Sequence, residues 1–347
     1  MSKQIYVQAQ ADHIASLAKA APVSAIEELV WNALDADAKE VKVDLITNPL
    51  GAVEAVRVAD DGTGIDALQA DTTFGGLGGS WKRQETQTAL SHRRLHGRHG
   101  CGRFKAFALG DRVEWRTTMR AGGELVSYTL AGELANPGVF ELTASEKPGP
   151  ATGTEVWIEN VHAACDSLLT AEETVQSLAS KFALYLKSYP DVRIYFNGIP
   201  VTPVIVQKQT TDYRLHLPNG AEAKLEVIEW KRKFVGAGRL VFAGPDGFEL
   251  HETPALVRSG GVPFTAYLVS DRIPRLAAEN MLVMDELNPE VRMYLDEVRK
   301  VLKSHFLAAA ATVDEAFVRE WEERIAAMSP ADRKLVLEML KKAIKKG

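Results

Sequence analysis

Polar and apolar positions change period several times along the chain, and each change marks an element. Between residues 22 and 38, Ile26, Leu29, Val30, Ala33 and Leu34 recur at helical spacing, which predicts a helix with one apolar face. Ser24 and Glu27 match the Ser-x-x-Glu capping box that opens such a helix, and its end falls near Ala38. Val41–Ile46 alternates with period two and reads as a strand, Asn48–Gly51 as a turn, and Ala55–Ala59 as a second strand. Before them, Ile5–Val7 reads as a short strand and residues 13–20 as helical.

Further strands are expected at Arg112–Arg116, Glu124–Leu130, Phe140–Thr143 and Gly153–Ile158, with a Pro/Gly loop from Ser145 to Gly153. Thr170 with Glu173 caps a helix whose apolar period runs to Tyr189, where Pro190 stops it. The second half is patterned as hairpins. Val192–Phe196 and Ile199–Val206 flank Asn197-Gly198, and strands around Leu215 and from Ala223 to Trp230 flank Asn219-Gly220. Arg239–Phe242 and Phe248–Leu250 flank Asp246-Gly247, and Phe264–Val269 follows as a strand. A helix opens at Asn288-Pro289 and runs to about Phe306, and the tail from Thr312 is helical, with Ser329-Pro330 opening a last helix. Strands backed by helices in two successive blocks predict an α+β chain with a boundary near Asn160–Ser167.

The first helix carries more than an apolar stripe. At 100° per residue, Glu28, Asn32 and Asp35 fall within an arc of roughly 60° on the opposite side. A carboxylate, an amide and a second carboxylate so aligned suit a hydrated divalent cation and a water beside it. They equally suit the solvated face of a surface helix. The second strand runs into Asp60-Asp61-Gly62-Thr63-Gly64-Ile65. There a strand-end carboxylate can accept from an exocyclic amine such as that of adenine, and two glycines let something flat approach the backbone. An Asp-Gly turn between strands reads the same way.

From Asp66 to Gly110 the chain is glycine-rich, basic and poorly periodic. Phe74–Arg83 carries four glycines and is expected not to pack as a regular element. In Gly97-Arg-His-Gly100-Cys-Gly102-Arg-Phe-Lys105 three glycines precede a helix-forming run, an arrangement that presents backbone N–H groups to phosphate. No Gly-Lys-Ser/Thr follows, so this is not a P-loop.

At 347 residues, with 46% hydrophobic and 25% charged positions, two or three globular domains are expected. No apolar run approaches the roughly 20 residues of a membrane span, and the first residues lack the apolar core of a secretory signal. Two cysteines, Cys101 and Cys165, make neither a disulfide framework nor a zinc site. Cytoplasmic localisation without a membrane partner is the expectation. The net charge of −5 argues against a globally basic nucleic-acid binder. Local basic clusters between Lys82 and Lys105, at Lys231–Lys233 and at the Lys-rich C-terminus keep DNA as a candidate partner. His92, His96 and His99 with Arg93 and Arg94 read as a solvated basic lid over an anion, Cys101 as a small space-filling residue, and Trp31 as a packing residue.

Glu-x-x-x-Asn-x-x-Asp-Ala, then Asp-x-Gly-x-Gly, then a glycine turn entering a helix, then Gly153-Thr154 opening a strand occur in one order. This resembles the GHKL ATPase superfamily of type II topoisomerases, the large heat-shock chaperone, MutL and MORC proteins, over residues 20–160. Ala25–Ala38 is closest to MutL, while Gly97–Ala108 and Phe74-Gly with Lys82 are closer to MORC. The Gly-Phe-Arg-Gly-Glu-Ala run of MutL is missing.

The resemblance implies a GHKL-type ATP-binding α/β sandwich over 1–163, a transducer-like α+β domain over 164–310 and a C-terminal helical segment over 311–347. It implies that Glu28 is the general base, that Asn32 ligates Mg²⁺, and that Asp35 plays a supporting, water-mediated or structural part. Asp60 would hold adenine, with Gly62, Gly64, Ile65 and Thr154 beside the base. Gly97, Gly100 and Gly102, flanked by His99, Cys101, Arg103 and Phe104, would wrap the phosphates. Phe74–Arg98, including Lys82, would be the lid. No Gln-Thr-Lys stands in the second domain, so Arg275 or Arg272, with Lys231–Lys233 as second choice, would reach the terminal phosphate. ATP with Mg²⁺, an ATP-dependent homodimer and a DNA-associated clamp are what this resemblance implies. A chaperone-like clamp and a nucleotide-binding scaffold with negligible hydrolysis are the alternatives.

Overall fold

A computed structural model describes residues 19–66, 87–96, 102–145, 147–231, 238–284 and 288–326, with the backbone alone beyond residue 307. The expected strand at 5–7, all but the last two residues of the expected helix at 13–20, most of the expected lid and the last helix lie outside these residues. The chain divides into two compact units: residues 1–207 with the turn 245–248, and residues 208–244 with 249–347.

In the first unit, helix α1 (Pro22–Asp35) is followed by β1 (Glu40–Thr47) and β2 (Val53–Asp60). After a one-turn helix α2 (Gly102–Lys105) come β3 (Gly110–Ala121), β4 (Glu124–Glu133), β5 (Phe140–Ala144) and β6 (Gly153–Val161). Helices α3 (Ala171–Lys181) and α4 (Ala183–Ser188) lead to β7 (Arg193–Phe196) and the two-residue β8 (Ile199–Pro200). These eight strands form one sheet in the order β5-β4-β3-β6-β2-β1-β7-β8. All neighbours in it are antiparallel except β1 and β7, where Val41 pairs with Ile194.

The apolar stripe of α1 packs on β1 and β2 as its spacing predicts, with Ile26, Leu29, Val30, Ala33 and Leu34 buried beside Val41, Val43, Val56 and Val58. Elsewhere the sheet carries a ladder of alternating charge across its strands. Arg57 bridges Asp44 and Glu155 at 3.0 and 2.6 Å, and Arg116 bridges Glu155 and Glu114 at 3.4 and 2.9 Å. Opposite charges in facing positions suit sheet surface that meets solvent.

Several expectations are corrected here. Helix α1 begins at Pro22 rather than Ser24, with extended Ala21 as N-cap and no side-chain capping bond. A proline at the first position needs no N–H partner, so the helix starts without the Ser24–Glu27 box. The helix expected to run from Thr170 to Tyr189 breaks at Phe182 into α3 and α4. The strand expected at Ile199–Val206 stops after two residues and turns into a short helix, α5 (Pro203–Val206), because Pro200 and Pro203 cannot donate to a ladder. The first unit also runs well past residue 163, because β7 completes its sheet beside β1.

The second unit holds β9 (Gln207–His216), β10 (Glu222–Trp230), β11 (Arg239–Ala243), β12 (Glu249–Pro254) and β13 (Phe264–Val269), in the order β12-β11-β13-β10-β9. Helix α6 (Ile273–Ala278) was not foreseen, and α7 (Pro289–Ala326) continues unbroken past the expected end near Phe306. Asn288 caps α7 through Oδ1, which accepts from the N–H groups of Glu290 and Val291 at 2.9 and 3.1 Å. Val291, Tyr294, Leu295, Val298 and Leu302 form the stripe that buries against Leu225, Val227, Leu240, Phe242 and Leu268. No helix of the described residues is long and apolar enough to cross a membrane.

Candidate nucleotide site

The polar face of α1 is sorted by depth. Glu28 and Asn32 are half-buried, and Asp35 is buried. Glu28 faces the start of α2: Lys105 Nζ lies 2.9 Å from Glu28 Oε2, and a Cβ on Gly102 would overlap Glu28 Oε1. Only glycine lets the backbone of that turn come so near the carboxylate. Asn32 makes no side-chain hydrogen bond among the described residues. Asp35 Oδ1 accepts the N–H of His96 at 2.7 Å, which anchors the residue that precedes Gly97 in the sequence.

The second cluster sits where β2 ends. Asp60 Oδ1 accepts from Gly62 N–H at 2.8 Å and from Thr154 N–H at 3.2 Å. Both bonds fall on one oxygen, and among the described residues Oδ2 accepts none. Burial pushes the Asp60 carboxyl up to about 6, against the two N–H groups that lower it. Thr154, buried on β6, is paired through its hydroxyl with Thr117 of β3 at 3.1 Å. Thr117 was not foreseen from the sequence, yet its hydroxyl also accepts Ile65 N–H at 2.9 Å. The Ile65 carbonyl accepts from Tyr128, so both backbone groups of Ile65 are already used. Gly64 takes φ of +78°, and a Cβ there would overlap Thr118 O. Gly62 is held close to the C-terminus of α1, where Thr63 N–H donates to Ala36 O at 2.7 Å. The Asp60 cluster and the C-terminal end of α1 are thus contiguous.

Residues 87–96 are not part of a free lid. Asp37, at φ of +64°, accepts from Thr88 Oγ1 at 2.6 Å and from the N–H groups of Leu90 and Ser91 at 2.8 and 3.1 Å. Burial raises the Asp37 carboxyl, but these hydrogen bonds together outweigh it and hold it below the ordinary value. Arg93 is buried, donates to Ala38 O at 2.8 Å and lies 3.7 Å from Asp37. His96 stacks on Trp31 at 4.2 Å between ring centroids, and Phe182 and Tyr185 pack around the same indole. The reading of Arg93 and His96 as solvated basic groups is therefore corrected, while Trp31 packs as expected. Neither Asp37 nor Thr88 carried a recognisable sequence signal.

The remaining site residues separate. Phe104 is buried against Phe140, with the Arg103 guanidinium over its ring at 4.3 Å, so the Phe104 side chain is core rather than ligand contact. Lys82, Gly97, His99, Gly100 and Cys101 lie outside the described residues. Arg275 belongs to the second unit, where it pairs with Glu290 at 2.6 Å and Glu279 at 3.5 Å, and Arg272 also pairs with Glu290. Among the described residues no cluster of three His, Cys, Asp or Glu could hold a metal. The oxygen donors Glu28 and Asn32 fit Mg²⁺ only in the manner of a cation that keeps waters and is completed by phosphate oxygens.

Part of the chain is similar to known proteins. Residues 20–139 match the family of histidine kinase-, DNA gyrase B-, and HSP90-like ATPases. The chain is also 33% identical over 111 residues to the DNA mismatch repair protein MutL of Lactiplantibacillus plantarum, an alignment spanning 32% of this chain and 14% of that protein. The α-helical layer on a largely antiparallel sheet agrees with that match. Residues 20–139 therefore belong to the GHKL superfamily of ATPases, with a resemblance to MutL.

Proposed function

We propose that the chain binds ATP with Mg²⁺ and hydrolyses it, using the bound nucleotide to drive a clamp-like association of two copies in a DNA-associated process. The observation that carries the reading is the pairing of two chemically distinct ends on one scaffold. Asp60 offers an unused carboxylate oxygen for the adenine amine, and Glu28 offers a carboxylate beside the glycine turn for an attacking water. Between them Asn32 would hold Mg²⁺, whose contribution is to neutralise phosphate charge. Phosphoryl transfer asks mainly for positioning and charge neutralisation, and a carboxylate one hydrogen bond from water suits the base. Asp35 serves the site indirectly by fixing His96 at the entrance to the phosphate turn.

The clamp and the DNA association rest on the likeness to MutL, together with the local basic clusters of an otherwise acidic chain. A transducer-like role for the second unit belongs to the same proposal. ATP turnover with and without duplex DNA, with Glu28→Ala as control, is the test. We expect Glu28→Ala to bind nucleotide within about threefold of wild type and to lose turnover by about a hundredfold or more. Equal turnover in the two proteins would remove Glu28 from the base role. Nucleotide binding without turnover in the wild type would favour a scaffold, and stimulation by unfolded protein rather than DNA a chaperone-like clamp.

A further inference from the structure

Lys105 has been given no role so far, yet its side chain touches the proposed base. Its ammonium lies 2.9 Å from Glu28 Oε2 across the junction of α1 and α2. Glu28 retains 16% of its side-chain exposure and Lys105 36%, so the pair is partly shielded from water. The other carboxylate oxygen, Oε1, lies against Gly102, whose missing Cβ makes the space it occupies. Glu28 is therefore held from two sides by one short helix: the backbone at its first residue and an ammonium at its fourth. A glutamate on a helix face otherwise samples several rotamers, and a base that must meet one water benefits from having a single one.

We propose that Lys105 is a positioning residue that fixes the Glu28 carboxylate, with Oε2 occupied by the ammonium and Oε1, against Gly102, left to receive the proton of the attacking water. This rests on the reading of Glu28 as base. Lys105 acts through Glu28 and contributes little to nucleotide affinity. Its loss lowers kcat while leaving KM nearly unchanged. Arginine, which keeps the charge and the reach, restores most of the rate. Because the effect passes through one carboxylate, removing Lys105 where Glu28 is already absent changes nothing further.

The test is a double-mutant cycle on the full chain with wild type, Glu28→Ala, Lys105→Met, Lys105→Arg and the Glu28→Ala/Lys105→Met double variant. Steady-state ATP turnover and binding of a fluorescent ATP analogue are measured on each. Lys105→Met is expected to lower kcat about ten- to a hundredfold with analogue affinity within about twofold. Lys105→Arg should recover to within about fivefold of wild type, and the double variant should match Glu28→Ala. A large rise in KM with kcat retained would make Lys105 a phosphate ligand instead. A double variant clearly slower than Glu28→Ala would show that Lys105 does not act through Glu28. Urea unfolding midpoints of the same proteins without nucleotide separate this proposal from the proposed function. Coupling between the two substitutions with no ATP turnover would overturn the hydrolase reading but not the pairing, whereas strictly additive midpoints would overturn the pairing itself.

Discussion

Asp60 sets affinity against stability in a way that can be measured. Its carboxyl is raised from an ordinary value of 3.8 to about 6 by burial at the end of β2. A group that binds its proton more tightly when folded stabilises the fold only while protonated. That contribution is complete below about pH 4, is lost as pH rises through about 6, and stays lost at neutral pH. A displacement of this size corresponds to about 3 kcal/mol by the usual 1.36 kcal/mol per pH unit, and this is a ceiling because the carboxyl keeps a partly exposed edge.

Asp60→Asn removes the ionisation while its amide oxygen still accepts from Gly62 and Thr154. Urea unfolding of wild type and variant between pH 4 and 8 should therefore show a difference near zero at pH 4 that grows to about 1–3 kcal/mol in favour of the variant by pH 7, then stays flat. The same variant places an N–H₂ donor where the adenine amine needs an acceptor. Its affinity for ATP should fall by about a hundredfold, as when a buried polar pair is mismatched. A stability difference that did not vary with pH would refute the assignment of the raised carboxyl to Asp60. Unchanged ATP affinity would refute its role at the base.

Two further outcomes follow from the geometry. Gly102→Ala should cut ATP turnover by at least about tenfold, because the new Cβ displaces Glu28 Oε1, while the urea midpoint stays close to wild type; full activity would mean that Glu28 does not need the glycine. Asp37→Ala should cost about 3 kcal/mol or more in urea unfolding, since it strips three hydrogen bonds and leaves Arg93 buried beside no carboxylate; a loss below about 1 kcal/mol would show that residues 87–96 are not anchored there.

The sequence carried most of the local structure where one period dominated. The apolar stripe of α1, the alternation in β1 and β2, and the Asn197-Gly198, Asn219-Gly220 and Asp246-Gly247 turns are all features that neighbouring residues determine. What was not legible is what distant pairing decides. Residues 193–196 look the same whether they join a second domain or lie parallel to β1, and only the register Val41 with Ile194 distinguishes the two. The candidate site divides in the same manner. Glu28, Asn32, Asp60 and the glycines announce themselves by spacing. Thr117 and Lys105 are ordinary residues until β3 is laid beside β6 and α2 beneath α1. Asp37 is hidden for another reason: an aspartate after a helix end is common, and its value comes from three N–H and O–H groups more than fifty residues later.

The order of the first sheet also has a consequence for biosynthesis. Strand β6 lies between β3 and β2, and it supplies the Thr154 N–H that Asp60 accepts. It is also translated about a hundred residues after the strand it completes, and β7, which covers the edge of β1, comes later still. Until Val161 has cleared the ribosome, β2 and β3 have no common neighbour and the Asp60 carboxyl has no partner on that side. A nascent chain carrying every residue of the ATPase match, 20–139, holds two separate pieces of sheet with exposed edges. Such edges invite mispairing with other chains, so protection of this segment during synthesis is set by the arrival of β6 rather than by the end of the matched region.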